Sequence, residues 1–146
     1  AVAHYAISIR LACQVFKVSE GCYRYQPVLA DGAVRKLVIW DIAGKSGLDA
    51  LNMSYLRGAS GLLLVADGTR EATLRSAVDL LLQSRSLLPD AHAILLINKL
   101  DLVDRWEVAP ATLVELRKSM TVIETSARQG DGVEQAFREM ATRLHA

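Results

Sequence analysis

Three polar stretches stand out, each where an apolar run ends. Leu37 to Asp41 is a run of β-formers that finishes in a carboxylate, and Gly44 follows three residues on. A strand that brings a carboxylate to its C-terminal end, just before a flexible backbone amide, is built to meet a metal-bound phosphate. The apolar run Ala93 to Ile97 exits into Asn98-Lys99-Leu100-Asp101, and the run from Met120 exits into Glu124-Thr125-Ser126-Ala127. A carboxylate such as Asp101 can accept from both N1–H and the exocyclic amine of guanine. Adenine presents no such pair of donors, and a buried polar mismatch is costly enough to make this a guanine-specific device. Each stretch also has a plainer reading. Asp41 could only cap a turn, Asn98 to Asp101 could be an ordinary exit loop, and Thr125 and Ser126 could only bond the local backbone.

The elements that must position these groups follow from periodicity. Tyr23 to Ala30 and Val34 to Asp41 flank Asp31-Gly32, a short turn signal, and read as an antiparallel hairpin. Pro27 cannot donate to a ladder, so the first arm is an edge strand. Leu48, Leu51, Tyr55 and Leu56 keep helical spacing as far as Gly58. Gly61 to Ala66 is continuously apolar, as in a strand buried on both faces. A helix runs from Thr69, its N-cap, to Pro89, with Leu80 to Leu82 and Leu87-Leu88 as core positions that could also line a protein interface. Pro110 to Ser119 is a helix opened by proline, Met120 to Glu124 a strand, and Val133 to Leu144 an amphipathic helix. Strands alternating with helices give a mostly parallel central sheet with one antiparallel edge hairpin and helices on both faces. Ligands of such sheets bind beyond the carboxyl ends of the strands.

The chain of 146 residues is one domain, long enough to bury roughly two-thirds of its unfolded surface. With half its residues hydrophobic and a formal charge of +1, it has no basic field that would favour nucleic acid or an anionic membrane. Cys13 and Cys22 have no second pair and no histidine cluster beside them, which argues against a zinc site and for a reduced, cytoplasmic setting. His4, His92 and His145 are scattered surface positions, and Trp40 and Trp106 are packing groups. No apolar run reaches the length of a membrane span and no secretory signal opens the chain, so a soluble protein is expected.

Together the three stretches resemble the Ras superfamily of small GTPases, in the style of its Rab branch. Trp40 to Gly44 matches the DxxG motif, Asn98 to Asp101 matches NKxD, and Glu124 to Ala127 matches the last base-binding motif. Ser54 to Ala59 is similar to the Rab stretch before the fourth strand, and the resemblance runs over about residues 22 to 146. It implies a P-loop NTPase-like G domain that binds GDP or GTP with Mg2+ and hydrolyses GTP. Asp41 would hold Mg2+ through a water, and the Gly44 amide would contact the γ-phosphate. Asn98 would bond the base edge and tie loops together, and Lys99 would lay its stem along the base. Asp101 would read guanine, Thr125 and Ser126 would support it, and the Ala127 amide would donate to O6. The implied partners are effector, exchange-factor and GTPase-activating proteins.

Two departures matter. No GxxxxGK(S/T) stretch, the family's phosphate cradle, occurs in the chain. If Val2 to Leu11 is the first strand, only about ten residues precede the hairpin, fewer than the dozen or more a parallel crossover needs. Either part of the encoded protein in this region is not represented, a reading one variant of which takes Ile9 to Phe16 as part of a first helix, or the chain is a degenerate member, a pseudo-GTPase interaction module that no longer binds nucleotide. The second departure is Lys45, where the family places a glutamine that orients water; a lysine donates but cannot accept, so slow intrinsic hydrolysis is expected. The end Leu144-His145-Ala146 carries no prenylated cysteine motif, so no direct lipid anchor is expected in the chain.

Overall fold

The computed structural model describes residues 4–10, 22–24, 28–30, 33–42, 56 and 58–144. The first strand, β1 (His4–Arg10), takes Ile9 and Arg10 into the sheet, so the reading of Ile9 as the start of a helix is set aside. Residues 11–21 and the helix expected around Leu48 to Tyr55 lie outside the described residues.

The expected hairpin arm is split. β2 (Cys22–Arg24) and β3 (Val28–Ala30) both pair antiparallel with β4 (Ala33–Ile42), in registers Cys22↔Trp40 and Val28↔Arg35. Residues 25–27, with Pro27 among them, lie outside the described residues. Next come β5 (Gly61–Asp67), α1 (Glu71–Arg85) and β6 (His92–Asn98), then a 3-10 helix, Leu100–Arg105. α2 (Pro110–Ser119), β7 (Thr121–Thr125) and α3 (Val133–Arg143) complete the described chain.

The sheet runs in the order β2-β4-β1-β5-β6-β7, with β2 at one edge. All pairings from β4 through β1 to β7 are parallel. β1 lies between β4, which follows it on one side, and β5 on the other. The chain therefore changes direction across the sheet at β1, the kind of position where sheets of this type bind ligands.

Alternation sorts the core into two layers. Leu63, Val65, Ile94 and Leu96 meet Ala136, Met140 and Ala141 of α3, while Leu64, Ala66, Leu95 and Ile97 meet Leu74, Ala77, Leu80 and Leu81 of α1 and Leu113 of α2. Helices thus cover both faces, and every residue of β5 is buried, as its unbroken apolar run requires.

Two helix limits differ from expectation. α1 starts after Arg70 rather than Thr69, because Asp67 takes both the N–H and the hydroxyl of Thr69 at 3.0 and 2.7 Å. α1 also stops at Arg85, before Pro89: the N–H groups of Leu87 and Leu88 both turn back to the Ser84 carbonyl. Leu80, Leu81 and Leu88 are buried as expected of core positions, but Leu82 and Leu87 are 66% and 41% exposed and do not belong to the core.

Candidate functional site

Strand register builds the site. Asp67, Asn98 and Thr125 are direct partners across β5, β6 and β7, so three polar residues end three adjacent parallel strands in one row. All three are buried.

Asn98 spends its carbonyl oxygen on the next loop. Oδ1 accepts from the Ala127 N–H at 3.0 Å and from the Thr125 hydroxyl at 3.4 Å, which staples the exit of β6 to the exit of β7. The Ala127 N–H, expected to face a base oxygen, is thus directed at Asn98, and a base would have to share it. Ser126 is completely buried. Its hydroxyl donates to Asp101 Oδ1 at 2.7 Å and accepts from the Gln129 N–H at 3.2 Å. The Ser126 N–H donates to the Asp131 carbonyl and its own carbonyl accepts from Gly130, closing the loop on itself. Gly132 makes that closure possible: it sits at φ +70°, and a Cβ there would lie 2.3 Å from the Glu124 carbonyl oxygen.

Lys99 is held in the left-handed region, with φ 70°, unusual for a residue with a Cβ. Its carbonyl accepts from the Trp106 indole N–H at 2.8 Å, and its ammonium lies 2.8 Å from Asp67 Oδ2. Trp106 can come this close because the chain passes over it at Gly68, where a Cβ would be 2.3 Å from the indole. Burial works against the charge on Asp67, but the Lys99 ammonium and the hydroxyl and N–H of Thr69 outweigh it and hold the carboxyl below the usual carboxylate range. Asp67, Gly68, Thr69 and Trp106 were not among the residues singled out for chemistry. Asp67 carries the same signature as Asp41, a carboxylate closing a β-rich run, and could have been found by it.

The acceptors at Asp101 suit a ligand edge with two adjacent N–H donors. Asp101 is almost buried, its Oδ1 is oriented by Ser126, and the Arg128 guanidinium stands 3.9 Å from Oδ2, beyond hydrogen-bond reach. An ionised carboxylate has about four lone-pair sites, so with one taken by Ser126 enough remain to accept from a pair of adjacent N–H donors.

A model of the Ras family matches residues 20–146, nearly the whole chain. The chain belongs to the Ras family. Its relatives include the Ras-related protein RABA1a of Arabidopsis thaliana, 37% identical over 118 residues, which are 79% of this chain and 55% of that protein. Rab-1A of Dictyostelium discoideum is 34% identical and human Rab-30 33%, each over 125 residues, 84% of this chain and 62% of theirs. The chain thus spans little more than half the length of these relatives.

In this Ras-family chain, Asp41 lies near the end of β4, paired with Ile9 of β1, while Gly44 and Lys45 lie outside the described residues. Of the residues expected to form the site, Asn98, Lys99, Asp101, Thr125, Ser126 and Ala127 are brought together. Among the described residues no group of three His, Cys, Asp or Glu side chains gathers to hold a metal, and no helix is long and apolar enough to cross a membrane.

Proposed function

We propose that this chain is a guanine-nucleotide switch: it binds GDP and GTP, hydrolyses GTP to GDP and phosphate, and signals through partners that distinguish the two states. One observation carries the reading. A buried serine aims the carboxylate of Asp101 while Asn98 ties the two loops that flank it, which is the machinery a guanine edge requires and an adenine edge does not. Lys99 supplies an apolar stem for the base, with Thr125 and Ala127 completing the wall. Asp41 would hold Mg2+ through a water, the metal supplying charge neutralisation at the phosphates, and the Gly44 amide would meet the γ-phosphate. Effector, exchange-factor and GTPase-activating proteins are the expected partners.

Titration of the chain with fluorescently labelled GDP and GTP in magnesium, with ATP as control, tests the reading. Saturable guanine-nucleotide binding that ATP does not displace is expected, and equal competition by ATP would refute it. Lys45 sets the rate: it cannot accept a hydrogen bond from the attacking water, so intrinsic hydrolysis is slow. Single-turnover hydrolysis should rise in Lys45→Gln, and equal or lower activity in that variant would sink this part of the reading.

A further inference from the structure

Lys99 is fastened at both ends. Its backbone carbonyl takes the indole N–H of Trp106 at 2.8 Å, and its ammonium meets the buried Asp67 carboxylate at 2.8 Å. Between them the apolar stem is left as a fixed rail on the loop that also carries Asp101. Asp67 is itself immobilised, because Oδ1 accepts from the N–H and hydroxyl of Thr69, and Oδ2 also takes Arg70 Nε at 3.0 Å.

The geometry points to Asp67 as a positioning residue for the nucleobase: its ion pair with Lys99 holds the lysine stem in the path where the flat face of guanine rests. This inference builds on the guanine-nucleotide reading given above. A free lysine stem loses rotamer freedom when it orders against a ligand, whereas a stem tethered at both ends has lost that freedom on folding. Asp67 therefore favours binding without touching the nucleotide. The strand register makes the tether possible, since Asp67 pairs with Asn98 and the ammonium of the next residue needs only to reach across one strand spacing.

The test is a double-mutant cycle on the full chain, reading Kd for labelled GDP in magnesium. Asp67→Asn keeps the shape and the acceptor for Thr69 but removes the charge. Lys99→Met keeps the apolar stem and removes the ammonium, leaving Asp67 its contact with Arg70, and a thermal melt of each variant confirms that it is folded. Each single variant is expected to weaken GDP about fivefold, and the double variant no further than either single, as for residues that act as one unit. Wild-type affinity in Lys99→Met, or independent and multiplying losses in the double variant, would overturn the tether while leaving the guanine site intact. Failure of the unaltered chain to bind GDP would overturn the guanine reading itself, and the tether with it.

Discussion

Removing the Ser126 hydroxyl isolates the aiming of Asp101. Ser126→Ala deletes a 2.7 Å bond to a carboxylate whose side chain is 8% exposed, at a position that is itself fully buried. A hydrogen bond to a charged group contributes about 1.5–3 kcal/mol, and the exposed Arg128 at 3.9 Å is too far to replace it. In a domain of this size that loss lowers Tm by about 4–12 °C. The affinity loss is smaller than the stability loss, because the bond exists before any base arrives. What binding loses is the prior ordering of one carboxylate, about 0.5–1.5 kcal/mol, or roughly 2- to 12-fold in Kd. Inosine diphosphate lacks the exocyclic amine and makes only one of the two bonds to Asp101, so a misaimed carboxylate should penalise GDP more than it. Thermal unfolding, with Kd for both nucleotides, checks all three expectations. A lower Tm with an unchanged preference for GDP over inosine diphosphate would refute the aiming argument, leaving Ser126 a purely structural residue.

Two further outcomes follow from the Lys99 tether. Asp67 has an ordinary carboxyl value of 3.8 in the unfolded chain and a lower one when folded, so the unfolded chain binds more protons and stability is lost as pH falls from about 4 toward the lowered value. Asp67→Asn should be less stable than the parent near neutrality, with the gap in Tm narrowing between pH 5 and 3; a gap that stays constant would show that folding does not lower the Asp67 carboxyl value. Gly68→Ala would place a Cβ 2.3 Å from an indole that is bonded to Lys99 and cannot easily retreat, at a cost of about 1–3 kcal/mol. It should lower both Tm and GDP affinity, and an unchanged Tm would mean that Trp106 has room to move.

Strand and helix types were legible because burial imposes them. The unbroken apolar run of β5 and the helical period of α3 each have one economical burial, and the covered faces are the ones the pattern names. Limits were less legible where a side chain outcompetes a local rule. Thr69 reads as an N-cap by residue type, yet a buried carboxylate two residues earlier takes its hydroxyl and shifts the helix start to Arg70. Leu82 and Leu87 read as core because leucine clusters usually are, but Leu82 lies on the outer face of α1 and Leu87 in the turn after it, and both are exposed. At the site, the motif residues could be read from sequence, whereas Trp106 and Gly68 could not. Their role depends on a close approach between two loops, and nothing in the spacing of 38 residues between them announces it.

The site's polar bonds divide its labour. Ser126 and Asn98 join the β6 and β7 exits and fix the atoms proposed to read the base edge, while Asp67 joins the β5 and β6 exits and, with Trp106 on the Lys99 carbonyl, fixes the stem of Lys99. On the guanine reading proposed above, edge and face of a base would be addressed from opposite sides of β6 by bonds that share no partner. Perturbations of the first pair should change which purine is preferred, and perturbations of the second should change how tightly any purine with the right edge is held. Measured on GDP and inosine diphosphate together, Ser126→Ala and Asp67→Asn should therefore separate, the first altering the ratio of the two affinities and the second lowering both by the same factor.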